Sequence, residues 1–171
     1  MMMSIHWSSH FPVLIKAMLL TDGPVLELGT GFYSTPLLHW MCFPQRRELV
    51  SYDSQEKYYK YTRMYEDESF HKVNLIKDEE WTTIPITRPW DVVLVDQSPS
   101  LARKETIKMV KDTAKYIVIH DSGPKDDRDY KYTDIYPLFK YKYEYSDHWN
   151  HTSILSNLVD LTGFEIKNFK I

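Results

Sequence analysis

Three observations predict an α/β sandwich of three layers, a mostly parallel sheet between helices that ends in a C-terminal antiparallel hairpin. Short apolar runs alternate with helical patterns along the chain, the order that builds parallel sheets covered on both faces. Two runs, Trp90 to Val95 and Tyr116 to Ile119, carry almost no polar alternation, as central strands buried on both faces do. Near the C-terminus the pattern changes: Tyr141 to Tyr145 alternates, and His151 to Ser156 reads as its partner across a loop at Asp147 to Asn150. The 171 residues are ample for one core and short for two, so the chain 1–171 reads as a single domain.

The first element is helical and falls within residues 1–22. Val13, Leu14, Ala17, Met18 and Leu20 keep the period of an amphipathic helix. The stretch does not read as a signal peptide, because Lys16 interrupts it and no basic n-region precedes it. His6 and His10 share a four-residue spacing, but without a carboxylate nearby metal binding there is not expected.

Val25 to Leu28 follows as the first strand, and Ser34-Thr35-Pro36 suits a helix start with Ser34 as N-cap and Pro36 in the first turn. Between them lie Gly29 and Gly31, where the lack of a Cβ permits positive φ and close approach of a ligand to the backbone. Two nucleotide cofactors compete for such a turn. A dinucleotide fingerprint wants a third glycine, and Ser34 stands in its place. Glu27 adds a carboxylate just before the loop, which repels a pyrophosphate and attracts the ammonium of S-adenosylmethionine.

The second strand, Glu48 to Tyr52, ends in Asp53, about 20 residues past the glycine turn, where an acid accepts from ribose hydroxyls. Asp53 equally suits an N-cap for the helix pattern Gln55 to Tyr65. The third strand, Val73 to Ile76, is followed by Asp78, Glu79, Glu80 and Trp81. Asp78 could accept from an adenine amine and Trp81 stack on the ring; a solvated acidic turn with Trp81 packed on the core reads equally well. The connection from Asp78 to Pro89 holds two prolines and little helical pattern, so a short or irregular crossover is expected.

The fourth strand delivers Asp96, and the fifth delivers His120 and Asp121, to the carboxyl edge where open α/β sheets bind ligands. Blander roles exist: Asp121 can cap the turn before Gly123 with Ser122, and His120 can be a satisfied core histidine. Beyond Gly123 the charged, tyrosine-rich stretch 124–136 looks like a mobile loop at the ligand edge. Tyr130 to Tyr145 would serve an interface, substrate stacking or core packing alike. His148 and His151 read as solvent-facing, and the tail Gly163 to Ile171 as a further strand.

The run Glu27-Leu28-Gly29-Thr30-Gly31-Phe32-Tyr33-Ser34, with the pieces after it, resembles a class I S-adenosylmethionine-dependent methyltransferase. The stretch from Asp91 to Ser100 and that from Ile117 to Gly123 more weakly resemble small-molecule or glycan O-methyltransferases. The resemblance covers most of Val25 to Ser156 and implies a Rossmann-like fold with S-adenosyl-L-methionine as cofactor. It implies that Glu27, Gly29, Gly31, Ser34, Asp53, Asp78, Trp81 and Asp96 hold the cofactor, while Asp96, His120 and Asp121 face the acceptor. The activity implied is methyl transfer to an oxygen of a small molecule or glycan, with His120 as base, its unperturbed pKa being near 6.5. Alternatively, a divalent cation on Asp96 and Asp121 lowers the acceptor's pKa. Metal-dependent relatives place a histidine shortly after the fourth-strand aspartate, and Gln97-Ser98-Pro99 stands here instead, which weakens the cation reading.

A catalytically silent adenosyl-binding or assembly subunit and a dinucleotide-dependent oxidoreductase are the rival readings, the second disfavoured by Ser34 and Glu27. An N-methyltransferase is a nearer variant, weakened by the lack of an Asn-Pro-Pro-Tyr type motif. A net charge of -3 gives no global field for nucleic acid or an anionic membrane. The single cysteine, Cys42, excludes a disulfide framework and any cysteine-rich metal site, in keeping with a reducing, cytoplasmic setting.

Overall fold

The computed structural model describes residues 8–166. Strands β1 (Val25–Leu28), β2 (Leu49–Asp53), β3 (His71–Leu75), β4 (Trp90–Val95), β5 (Ala114–His120), β6 (Tyr141–Tyr145) and β7 (Thr152–Ser156) form one sheet. Its order is β3-β2-β1-β4-β5-β7-β6. β1 to β5 are parallel, and β7 lies antiparallel to both β5 and β6. From β1 the chain winds outward to β2 and β3, then returns to lay β4 on β1's other side, pairing Leu28 with Val95. That reversal opens a crevice at the carboxyl ends of β1 and β4, the place where such sheets bind ligands.

The side-chain period of two sorts each strand between two cores. Val25, Leu49, Val92, Leu94, Val118 and Ile154 face α1 (Phe11–Leu19) and α2 (Ser34–Cys42), meeting Val13, Leu14, Ala17, Met18 and Leu38. Leu26, Leu28, Val50, Val93, Val95, Ile117 and Ile119 face the other way, against Ile107 and Val110 of α4 (Ala102–Val110) and against Trp81, Ile84 and Ile86. The three-layer arrangement follows from this sorting. Among the described residues no helix is long and apolar enough to cross a membrane.

Local details differ from the sequence expectations. Ser34 is the first residue of α2 and Tyr33 its N-cap, with no side-chain capping bond. Leu20 lies past the end of α1, largely exposed, so it leaves the apolar stripe. The stretch 124–136 has local regular structure. It folds into α5 (Asp127–Tyr130) and two 3-10 turns, Tyr132–Asp134 and Tyr136–Leu138, anchored by the buried Tyr132 and Ile135. Its surface charges mask those two anchors three residues apart. The tail makes no strand up to residue 166; Phe164 instead packs against Tyr116 and Tyr143. The rest of that tail, like His6, lies outside the described residues. The crossover from β3 to β4 is irregular as expected, holding one 3-10 turn at Asp78–Thr82.

Candidate functional site

A cleft opens at the crevice between β1 and β4. Its first wall is the loop from Gly29 to Ser34 together with Asp53, Gln55 and Tyr58; its second is His10, Asp96, Ser98, His120 and Asp121.

The loop is held from several sides. Gly29 has φ +88°, and a Cβ there would stand 2.4 Å from the Gln97 amide nitrogen and 2.5 Å from the Asp96 carbonyl carbon. The close approach this glycine permits is therefore that of its own neighbouring strand. A Cβ on Gly31 would meet only the Ser34 Oγ, at 3.5 Å, so this position answers to the cleft. Thr30 donates to Asp53 Oδ2 from its amide at 2.7 Å and from its hydroxyl at 2.9 Å. The Gly31 amide donates to Thr35 Oγ1 at 3.0 Å, and that hydroxyl donates to Glu27 Oε1 at 2.9 Å.

Glu27 thus acts from beneath the loop, which corrects the expectation that it contacts the cofactor. It has the parity of Val25, so it points under α2 rather than into the cleft, and it is fully buried. Ser51 Oγ donates to Glu27 Oε2 at 2.7 Å and lies 3.0 Å from His71 Nε2, whose Nδ1 is 3.1 Å from His39 Nδ1. One tautomer set satisfies this chain: Nε2–H of His71 donates to Ser51, and Nδ1–H of His39 donates to His71. Burial lowers both histidines, His71 to about 4, so neutral rings suit it.

Burial pushes the Glu27 carboxyl from 4.5 up to about 7, against the hydrogen bonds from Ser34, Ser51 and Thr35. The folded state therefore binds the proton more tightly than the unfolded one. The stability this contributes is complete below the unfolded value of 4.5 and drains away as pH rises to about 7, by roughly 3 kcal/mol. Glu27→Gln should flatten that slope and leave the variant at least as stable as wild type at pH 8, as checked by urea denaturation across pH. A slope equal to wild type would refute the assignment.

Asp53 reaches the end of β2 on the floor of the cleft. Besides the two bonds from Thr30, its Oδ1 accepts from the Gln55 amide at 2.7 Å. Asp53 therefore braces the loop and the turn before α3 (Glu56–Thr62), whose N-cap is Gln55 rather than Asp53, while its carboxylate lines the cleft. Burial is the main cause that raises its carboxyl.

In the second wall, His120 Nδ1 lies 3.2 Å from Asp96 Oδ1 and 3.5 Å from Asp121 Oδ2. Its Nε2 is 2.9 Å from the hydroxyl of the buried Ser9. Burial would lower His120, but the Asp96 carboxylate outweighs it and raises the ring. Conversely, burial would raise Asp96, and the charges of His120 and Arg103 hold it well below the usual carboxylate range. Both ring nitrogens of His120 already face partners, Ser9 at Nε2 and the two carboxylates at Nδ1. Asp121 has φ +54°, a left-handed conformation that aspartate tolerates better than most residues and that turns the chain out of β5. Burial raises its carboxyl.

Two expected ligand residues do not reach the cleft. Trp81 is 1% exposed, packed in the core, and its Nε1 donates to the Ser98 carbonyl at 2.9 Å. Its ring has no free face for adenine, and it acts only by holding Ser98. Asp78 is exposed on the 3-10 turn outside the cleft lining. His151 pairs with Glu144 at 2.7 Å and does not line the cleft.

The sequence reading also missed residues. Thr30 and Thr35 fasten the loop, and Phe32, Tyr33, Gln55 and Tyr58 line it. Arg103, buried on α4, donates to Asp96 Oδ1 at 2.8 Å, to the Gln97 carbonyl at 2.8 Å and to the His120 carbonyl at 3.0 Å, with Tyr130 stacked 4.3 Å away. No local pattern marks it. His10, set aside for want of a carboxylate, stands beside Asp96.

The architecture is the Rossmann-like fold of class I S-adenosylmethionine-dependent methyltransferases. Human methyltransferase-like protein 13, solved with SAH, is similar over 92% of this chain and 83% of its own, at 16% identity and a TM-score of 0.61. The O-methyltransferase TomG of Streptomyces achromogenes, involved in tomaymycin synthesis and solved with SAM, is similar over 87% and 79%, at 14% identity and a TM-score of 0.63. Cofactor-bound Rv0187 from MTB is similar over 93% and 83%, at 17% identity and a TM-score of 0.64. No protein-family profile matches the chain, and no curated protein matches it by sequence.

Proposed function

We propose that this chain is an S-adenosylmethionine-dependent methyltransferase that modifies an oxygen of a small molecule or glycan in the cytoplasm. The observation that carries the reading is the meeting, in one cleft, of a glycine loop braced by Asp53 with a second wall of ionisable groups on β4 and β5. Bound there, the cofactor supplies a methyl group already activated on a sulfonium. The protein's work is then alignment and proton handling, and alignment alone supplies effective molarities on the order of 10⁵ M.

In this reading Asp53, which lines the cleft, accepts from the ribose hydroxyls. Gly31 and Ser34 border the cofactor's path, and Glu27 sets the loop through Thr35 without touching it. Asp96 and His120 stand side by side facing the acceptor. Asp121 takes the acceptor's proton as the oxygen's lone pair attacks the methyl carbon and the carbon–sulfur bond breaks, leaving a neutral thioether. Support for an oxygen acceptor comes from the O-methyltransferase TomG among the similar structures.

Calorimetric titration with S-adenosylmethionine, S-adenosylhomocysteine and NAD tests the class. Saturable binding of the adenosyl pair but not NAD is expected, and Asp53→Asn should weaken it about tenfold or more, as loss of a hydrogen bond to a charged group does. Binding of NAD alone, or of none of the three, overturns the reading.

A further inference from the structure

His10 is 1% exposed, and among the described residues neither of its ring nitrogens has a hydrogen-bond partner. Leaving a polar group buried and unpaired costs about 1–3 kcal/mol, so such a side chain points to something that completes it. Its ring stands edge-on to His120, with centroids 4.9 Å apart. His10, Asp96 and His120 each offer one ligand atom, and these atoms lie within 4.8 Å of one another. Here the carboxylate missing from the sequence neighbourhood of His10 is supplied from β4.

We propose that His10, Asp96 and His120 form a binding site for one divalent transition-metal ion in the second wall of the cleft. Once His120 gives up its Nδ1 proton to act as a ligand, the carboxylates of Asp96 and Asp121 face the single guanidinium of Arg103, so the local charges suit a cation. Arg103 donates to Asp96 from behind, as partners of metal-bound carboxylates do. His120 is already oriented as a ligand would be: Nδ1 faces Asp96, and Nε2–H can stay on Ser9 Oγ and fix the tautomer. Bonds of about 2.0–2.2 Å require the three ligand atoms to draw together. The His10 ring can swing without breaking a side-chain hydrogen bond, since its nitrogens have no partner among the described residues.

Two imidazoles with one carboxylate favour Zn²⁺, Mn²⁺, Fe²⁺ or Co²⁺ over Mg²⁺ and Ca²⁺, which prefer oxygen ligands. This site differs from a cation on Asp96 and Asp121 in its ligands and in its metal. It stands whether or not the chain transfers methyl groups.

The test uses the full chain stripped by a chelator, with no adenosyl ligand present. Co²⁺ should bind one ion per chain and develop visible d–d bands, and Zn²⁺ should displace it while Mg²⁺ at the same concentration should not. His10→Ala should weaken Co²⁺ about a hundredfold or more, since even outer-shell changes reach that range. His10→Phe fills the same buried space with an apolar ring, so it should fold at least as well as wild type and lose the bands. Co²⁺ spectra and affinity unchanged in folded His10→Phe overturn the proposal, as does failure of both Co²⁺ and Zn²⁺ to bind saturably. The adenosyl titration of metal-free protein is separate, so failure of the methyltransferase reading is distinguishable from failure of this one.

Discussion

Gly29→Ala is expected to destabilise the protein by about 3 kcal/mol or more, whereas Gly31→Ala, two residues on, leaves stability within about 1 kcal/mol. Two effects add at Gly29. A φ of +88° is strained for alanine, and the new methyl would sit 2.4 Å and 2.5 Å from backbone atoms of Gln97 and Asp96. Those atoms cannot swing away as a side-chain tip would, because Asp96 is itself bonded to the Leu28 carbonyl at 2.7 Å. Relief would mean parting β1 from β4 at the centre of the sheet. At Gly31 the methyl meets one hydroxyl at ordinary contact distance, so the damage should appear in ligand affinity instead. Urea denaturation of both variants, beside adenosyl-ligand calorimetry on Gly31→Ala, separates the two glycines. Equal stability losses at both would show that the loop's seat on β4 is not what Gly29 protects.

That contrast marks how far the sequence could be read. Strands β4 and β5 were legible because a strand buried on both faces must be apolar throughout, and the end of each run fixed Asp96, His120 and Asp121 at one edge. Asp53 was legible for the same reason. Glu27 was misplaced although its parity was available: sharing a face with Val25, it could only point under the helix layer. Trp81 was beyond reach, because an aromatic after acidic residues reads alike whether it meets a ligand or, as here, the Ser98 carbonyl and the core. His10 lies in the turn just before α1 and Arg103 on α4, both away from the glycine loop in sequence. Their roles arise only where α1 and α4 cross the strand ends, and no spacing along the chain records that crossing.

Arg103→Ala is the other substitution with a large expected effect, a loss of about 3–5 kcal/mol, as when one partner of a buried ion pair is removed. The guanidinium joins three parts of the second wall: Asp96 and Gln97 after β4, the His120 carbonyl at the end of β5, and Tyr132 with Tyr130 in the segment that follows. Its removal leaves buried carbonyls unpaired and the Asp96 carboxylate with only His120 to balance it. Arg103→Lys keeps the charge but cannot reproduce the planar fork, so it should recover only a small part of the loss. Arg103→Met with Asp96→Asn removes the ion pair at both ends, and its effect should be smaller than the sum of the single substitutions, since they share one interaction. Because Tyr132 anchors the stretch 124–136, hydrogen exchange there should quicken in Arg103→Ala before exchange in β1 and β2 does. A loss under about 1 kcal/mol, with unchanged exchange in that stretch, would mean that the apolar packing of Tyr132 and Ile135 holds the wall unaided and that Arg103 serves the charge of Asp96 alone.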